Sequence, residues 1–283
     1  EPIRSLGTHQ VAEAARNYLI KRGYQLDVQF VGPRNAPNIP LLERLAAEWK
    51  AVLLSAPRGE YDKHLHTETP LASVPHKIFI GPMQGGVTNC VYSDYPRAAE
   101  LAINYLISRG AERILCTTSD EERIPHLLFR TYALDLCAAR YPHVKLIYSG
   151  GGNTFEQAYS SVLRFLQSGE RFDGIFANSH YATCGALRAL ADHDLRLLWK
   201  IPVIGMGRRF FLDYMVPRPA MITASDGDLG REAARMAVEL CSTDRKSYPS
   251  IVVPVYLTEG DLVLCRQEDD AELPNPISKA VIP

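Results

Sequence analysis

The sequence lacks long apolar runs and an excess of charge of one sign, and we expect no leader segment. Its apolar stretches, such as residues 251–257, are far shorter than the roughly 20 residues that a membrane-spanning helix needs. Its 31 basic and 32 acidic residues give a formal net charge of -1, so no basic surface for nucleic acid is indicated. Glu1–Arg4 is short and charged, unlike the start of a signal peptide. We therefore expect a protein that does not insert into a membrane.

The cysteines are scattered, and they form neither a CxxC pair nor a His–Cys group at zinc spacing. Most stand in apolar segments, where a free cysteine behaves as a small hydrophobic residue. The sequence therefore predicts a reduced, cytoplasmic protein that carries no metal and no cofactor. The six cysteines are Cys90, Cys116, Cys137, Cys184, Cys241 and Cys265.

Motifs of catalysis are also missing. The sequence contains no G-x-S-x-G nucleophile elbow, no H-E-x-x-H zinc motif and no Walker loop. His64 and His66 stand in a polar loop without spacing for a third metal ligand. The glycine run at residues 150–152 follows a predicted strand and is interpreted as a turn rather than a phosphate loop. We therefore expect that the protein is not an enzyme.

The chain does contain a regular alternation of short apolar strands with amphipathic helices. Its 283 residues, 46% hydrophobic and 22% charged, fit two globular lobes. Strands separated by helices indicate parallel sheets covered on both faces. The predicted helices are residues 11–22, 39–49, 97–109, 129–140, 155–167, 184–192 and 229–241. The predicted strands are residues 25–31, 51–55, 78–80, 91–94, 113–117, 144–148, 174–177, 201–205, 251–257 and 262–265.

Three stretches share their order and spacing with a known family of regulators. They are Val91–Asp94 with Ala98–Gly110 and Ile114, then Phe172–Ala177 with Gly185–Leu187, and then Ile201–Gly205 with Met221–Ala224 and Leu229–Ala234. Together with Val255–Arg266, they resemble the effector-binding core of the lactose-repressor/galactose-repressor (LacI/GalR) family. The resemblance covers most of residues 5–266, and the order of the stretches is more specific than any one motif.

This resemblance implies an α/β fold of the type I periplasmic-binding-protein kind. Two doubly wound parallel-sheet lobes are then joined by three crossings, and a ligand binds in the cleft at the carboxyl ends of the strands. One lobe would hold residues 1–94 and 227–253, the other residues 95–226 and 254–267, and residues 268–283 would be a tail. The crossings would lie near Asp94, Ser225–Gly227 and Pro254.

The resemblance also implies which side chains face the effector. Arg130, at the opening of a predicted helix, matches the family arginine, whose planar guanidinium can hold two hydroxyls or a carboxylate. Asp94 is retained, and both a helix cap and a ligand contact stay open for it. Ser179 and His180 align with the family Asn-Asp pair, because Gly185 and the alanine after it set the register.

The remaining matched positions differ from the family pattern. The first Asp of the family turn G(F/Y)DD is Gly207 here, with Arg208 after it. The Gln of the last crossing aligns with Ala224, and a slip of one residue would bring Ser225 or Asp226 into play.

These changes predict an effector that carries a carboxylate or phosphate, or one that is not a sugar. Two acidic groups are lost, while His180, Arg208 and Arg209 would make the site more positive. The turn Gly205-Met-Gly207 would free backbone N–H groups for an anion. The alternative is a site that binds no small molecule. A catalytic or metal-binding His180 is disfavoured, because no partner for either role stands nearby in sequence.

The function implied is the ligand-sensing and dimerisation core of a LacI/GalR-type transcriptional regulator. A small effector (a sugar, sugar derivative or organic acid) would bridge the two lobes and select their closed arrangement, and the lobe rotation would be passed to the headpieces of a homodimer. The helices at residues 38–49 and 229–241 are candidates for the dimer face. Operator DNA would be bound only through a helix-turn-helix headpiece that this sequence lacks. The alternatives are a solute-binding protein of a transporter or chemoreceptor, and a sensor fused to another output domain.

Overall fold

The computed structural model describes residues 6–29, 38–55, 68–81, 88–118, 124–150, 154–208 and 210–261. The helices are α1 (Leu6–Ile20), α2 (Ile39–Glu48), α3 (Tyr95–Ser108), α4 (Ile124–Arg140), α5 (Phe155–Ser168), α6 (His180–His193), α7 (Leu197–Lys200) and α8 (Asp226–Ser242), with short 3-10 helices at Pro70–Ser73 and Phe210–Tyr214. The strands are β1 (Ala51–Ser55), β2 (His76–Ile80), β3 (Cys90–Ser93), β4 (Arg113–Thr117), β5 (Lys145–Tyr148), β6 (Gly174–Ala177), β7 (Val203–Met206), β8 (Ala220–Ala224), β9 (Ile251–Val253) and β10 (Val255–Thr258).

The strands form two sheets. The first sheet has the order β1-β2-β3-β9, and the second has the order β10-β8-β7-β6-β4-β5. The pairs within the first sheet are parallel, as are the pairs from β8 to β5 in the second. In the second sheet, Ile175 of β6 lies between Leu115 of β4 and Val203 of β7. All four residues of β6 are buried, as expected for a central strand covered on both faces.

The chain divides into two compact units, each built on one sheet. The first comprises Glu1–Ala99, Glu121–Ala133 and Thr223–Tyr256, and the second comprises Glu100–Asp120, Leu134–Ile222 and Leu257–Pro283. Pro254 separates β9 of the first sheet from β10 of the second, which is where one crossing is predicted. The predicted lobes differ from these units at residues 95–99, 121–133, 223–226 and 254–256, so the lobe boundaries stay a prediction.

In the first unit, α8 packs tightly against α1. Val11, Ala15 and Leu19 form the buried stripe of α1, at the four-residue spacing that places them on one helix face. They pack with Ala234 and Met236 of α8 and with the buried residues of β2 and β3. The two helices approach so closely at Gly230 that a β-carbon there would collide with the carbonyl group of Val11.

In the second unit, α5 and α6 make a similar close contact. Thr154 and Gln157 form a capping box that starts α5, with the Gln157 N–H donating to Thr154 Oγ1 at 3.2 Å. Gly185 of α6 lies against the first turn of α5, where a β-carbon would collide with the carbonyl oxygen of Phe155 and lie 2.9 Å from the Tyr159 nitrogen. The Gly-Ala motif that sets the sequence register is therefore a point of helix contact.

Several predicted elements need correction. A strand was predicted at residues 25–31, but residues 25–29 form no strand with any described part of the chain, and residues 30 and 31 lie outside the described residues. The single strand predicted at residues 251–257 is two strands in different sheets, and β8 was not predicted as a strand. Five helices begin earlier than predicted, namely α1, α3, α4, α6 and α8. The strand predicted at residues 262–265 and the tail from 268 lie outside the described residues.

The dimer face predicted on α2 and α8 stays a prediction. The apolar residues of α8 are buried or packed into the core of the first unit, and no large apolar side chain of α8 is exposed. This buried apolar face holds α1 and the sheet. On α2, Ile39 is exposed, while Leu42 is fully buried.

The contact at Gly230 gives a direct test of this packing. We expect Gly230→Ala to lower the free energy of unfolding by about 1–3 kcal/mol, because the added methyl group forces α8 away from α1. Gly227→Ala in the same helix is the matched control, since the nearest atom to its new β-carbon is Ser225 Oγ at 3.7 Å. Urea unfolding measures both. Equal stability of the two variants would contradict the close approach.

Candidate functional site

The first turn of α6 lies directly on the end of β7, and two glycines make this possible, one in β7 and one directly after it. A β-carbon at Gly205 would collide with Thr183 Oγ1 and lie 2.6 Å from the sulfur of Met221. A β-carbon at Gly207 would lie 3.1 Å from Nδ1 of His180. Gly207 also has a φ of 121°, a backbone conformation that residues other than glycine rarely adopt. The two glycines therefore fix His180 and Thr183 at the carboxyl end of the second sheet.

Ser179 begins α6 as its N-cap. Its hydroxyl accepts from the Ala182 N–H at 3.0 Å, and its carbonyl oxygen accepts from the Thr183 hydroxyl at 2.8 Å. The first bond satisfies the backbone N–H of Ala182 in the first turn of the helix. The second gives the buried hydroxyl of Thr183 a hydrogen-bond partner. Ser179 therefore has a demonstrated structural role, and its predicted contact with an effector stays a prediction.

His180 is partly buried, and its surroundings disfavour the charged form of the imidazole. Burial lowers the pKa of His180 below its usual value of 6.5, and the positive charge of Arg208 lowers it further. The ring also lies close to that of Tyr181, with centroids 4.1 Å apart. The lowered pKa does not favour the expectation that His180 adds positive charge, which stays a prediction. A neutral imidazole offers one donor and one acceptor, which suits a ligand hydroxyl or carbonyl.

The glycine turn does not present a free N–H at Gly207. That N–H donates to the carbonyl oxygen of Ile222 on β8 at 2.8 Å. The predicted use of this group to bind an anion is wrong, because β8, which was not predicted, takes it. Arg208 is partly buried, and its charge acts on His180. Arg209 lies outside the described residues.

In the first unit, Asp94 and Ser225 each start a helix. Asp94 Oδ1 accepts from the Arg97 N–H at 3.0 Å, while the Asp94 N–H donates to Val253 where β3 and β9 end. Ser225 Oγ accepts from the Asp228 N–H at 3.1 Å and caps α8. Asp226 is the first residue of that helix, where a carboxylate is favoured by the helix dipole. The cap role left open for Asp94 is therefore present, and ligand contacts of all three stay predictions.

The sequence suggested that Arg130 opens a helix, but it does not. It lies in the second turn of α4, which begins at Ile124 with Pro125 in its first turn. The side chain of Arg130 is outside the described part of the chain, so its role stays a prediction. Of the predicted site residues, the structure thus brings together His180, Gly207 and Arg208 in the second unit, with Ser179 as the cap beside them.

Sequence reasoning placed a ligand site at the end of β6 but did not name Asn178 as a site residue, and it missed the polar residues at the end of β4. Thr117 and Thr118 are buried at the end of β4, and the Asn178 N–H donates to Thr117 Oγ1 at 3.3 Å. Asn178 directly follows β6, and both polar atoms of its side chain are buried. The available signal was their position, since polar residues immediately after buried parallel strands mark the ligand edge of such sheets.

The described residues contain no group of three or more His, Cys, Asp or Glu side chains that could hold a metal ion. None of the described helices is long and apolar enough to cross a membrane.

Comparison with known proteins identifies the family. Residues 103–261, more than half of the chain, match the family described as periplasmic binding protein-like domain. The chain belongs to this family. No curated protein matches this periplasmic binding protein-like chain in sequence.

Solved structures of LacI family transcriptional regulators share the fold of this periplasmic binding protein-like chain. One from Arthrobacter sp. FB24, in complex with lactose, is 21% identical with a TM-score of 0.75, covering 91% of this chain and 94% of its own. One from Bifidobacterium animalis subsp. lactis is 16% identical with a TM-score of 0.79, covering 92% and 94%. One from Enterococcus faecalis with bound ribose is 19% identical with a TM-score of 0.76, covering 92% and 95%. The predicted type I periplasmic-binding-protein fold is confirmed.

The state of His180 in this periplasmic binding protein-like chain can be measured by titration. We expect an NMR titration of its imidazole to give a midpoint below 6.5, because burial and Arg208 both disfavour the charged ring. Arg208→Gln should raise the midpoint, and Arg208→Lys, which keeps the charge, should raise it less. A midpoint at or above 6.5 in the unchanged protein would contradict the buried neutral ring.

The same shift predicts how stability depends on pH. Between the usual value of 6.5 and the lower folded-state pKa, the unfolded chain binds the proton and the folded chain does not. The contribution of His180 is therefore fully present above pH 6.5 and is lost as the pH falls through this window. We expect His180→Gln to reduce this pH dependence in urea unfolding, and an unchanged slope would contradict the assignment.

Proposed function

We propose that this chain is the ligand-sensing core of a LacI/GalR-type transcriptional regulator, acting in the cytoplasm as a homodimer and not as an enzyme. The observation that carries the proposal is the combination of the type I fold with polar residues at the carboxyl end of its second sheet. Ligands of open α/β sheets bind at that end of the strands. Effector binding would select one arrangement of the protein and so change the affinity of an attached DNA-binding module.

The proposed effector carries a carboxylate or phosphate, or is not a sugar. The positions that resemble the family Asp and Asn residues hold Ser179, His180 and Gly207, none of which is acidic. Arg208 supplies positive charge beside a neutral His180. The neutral sugars bound in related structures, lactose and ribose, are the alternative. The site would then rely on hydrogen bonds from neutral side chains.

A thermal-shift screen tests the proposed effector class. We expect D-gluconate or glucose 6-phosphate to raise the melting temperature more than D-glucose or D-ribose, because a ligand that binds only the folded state stabilises it by mass action. Arg208→Gln should weaken the effect of the anionic compounds, and Arg218→Gln is a matched control whose guanidinium pairs with Asp261 instead. Preference for neutral sugars in the unchanged protein would contradict an anionic effector.

Assembly and upstream sequence test the regulator itself. We expect sedimentation velocity at micromolar concentration to show a dimer of the 31.5 kDa chain. A helix-turn-helix encoded upstream of Glu1 would support the regulator. A strict monomer preceded by a signal peptide would instead favour the solute-binding protein of a transporter.

A further inference from the structure

Asn178 stands at the carboxyl end of β6 with a side-chain amide that has no hydrogen-bond partner. Its backbone N–H donates to Thr117 Oγ1, but Oδ1 and Nδ2 are both buried and unpaired among the described residues. Among the described residues, Asn178 is the one whose side chain has two buried polar atoms without a hydrogen-bond partner. The amide is therefore an unusual feature of this part of the chain.

The neighbouring polar groups are already paired with one another. Ser179 Oγ accepts from Ala182, and Thr183 Oγ1 donates to the Ser179 carbonyl. Buried polar groups in folded proteins nearly always have partners, because an unpaired one loses its bonds to water without replacement. An apolar residue of similar shape would avoid this loss. The amide thus weakens the folded state without the ligand, and its presence calls for a reason outside folding.

We propose that the amide of Asn178 is a recognition group for the effector. It binds a part of the ligand that presents a donor and an acceptor side by side, since a carboxamide has both in one plane. A vicinal diol and the amide-like edge of a nucleobase share this chemistry. The inference rests on the proposed function. It adds to the site a ligand-binding residue whose side chain is neutral rather than acidic.

The position of the residue supports this role. Asn178 follows the buried strand residues Phe176 and Ala177, so its backbone is fixed by the sheet. His180, two residues later, presents a neutral imidazole at the same edge. A ligand held by these two groups would be bound through neutral hydrogen bonds, which give strong discrimination when the partners are buried.

The first arm of the test measures stability without ligand. We expect Asn178→Leu, and Asn178→Ala as the smaller variant, to melt at the same temperature as the unchanged protein or higher. Asn104→Leu and Asn104→Ala are matched controls in the second unit, because Asn104 Oδ1 accepts from the Tyr141 hydroxyl at 3.0 Å. The controls should melt lower, by about 2–4 °C. Lower melting of both Asn178 variants would overturn the inference, showing an amide that folding needs, for example to hold a buried water.

The second arm measures binding by calorimetry with D-glucose, D-gluconate, glucose 6-phosphate and adenine. For a probe that binds the unchanged protein, we expect Asn178→Leu to raise the Kd by about tenfold or more, and Asn104→Leu to leave it unchanged. Binding of adenine would indicate recognition of a nucleobase edge, and binding of the polyhydroxy compounds would indicate recognition of a vicinal diol. Equal Kd values for Asn178→Leu and the unchanged protein would overturn this inference alone. Absence of binding by every probe would overturn the proposed function, and this inference with it.

Discussion

The contact between the first turn of α6 and the end of β7 determines the geometry of the candidate site. It exists because Gly205 and Gly207 leave space that the side chains of Thr183 and His180 fill. Thr183 and His180 are three residues apart, so they share one face of the helix. Ser179 fixes where the helix begins. As a result, His180 is held beside Arg208 and partly out of water, and its neutral state follows from that placement.

Glycines also set the distances between helices in each unit. Gly230 brings α8 onto α1, and Gly185 brings α6 onto α5. In both places the neighbouring backbone occupies the space of a missing side chain, so the helices cannot shift without creating a void or a collision. The position of α6 is thus fixed on two sides, by α5 through Gly185 and by β7 through Gly205 and Gly207.

Much of this fold is predictable from sequence, because its strands and helices follow from patterns within short stretches of the chain. Strands β1, β4 and β6 were predicted with the bounds that the structure shows, because each is a short apolar run between turn or helix signals. The starts of α2 and α5 were also predicted correctly, but five other helices were predicted to start too late. In α6, the residues before Cys184 are polar and were interpreted as a loop, although Ser179 is a good N-cap. The strand β8 was missed, and with it the partner of the Gly207 N–H. The charge state and the hydrogen bonds of the site residues depend on such contacts between distant segments. The sequence of any one segment does not show them.

The packed glycines restrict how this protein could acquire a new ligand during evolution. A side chain at Gly205 or Gly207 would require a simultaneous change at Thr183 or His180, because the space is already occupied. Single substitutions at Asn178, His180 or Arg208 meet no such barrier from the glycines. Divergence of related sensors should therefore proceed through these three positions first, while the glycine pair changes only together with its partners on α6.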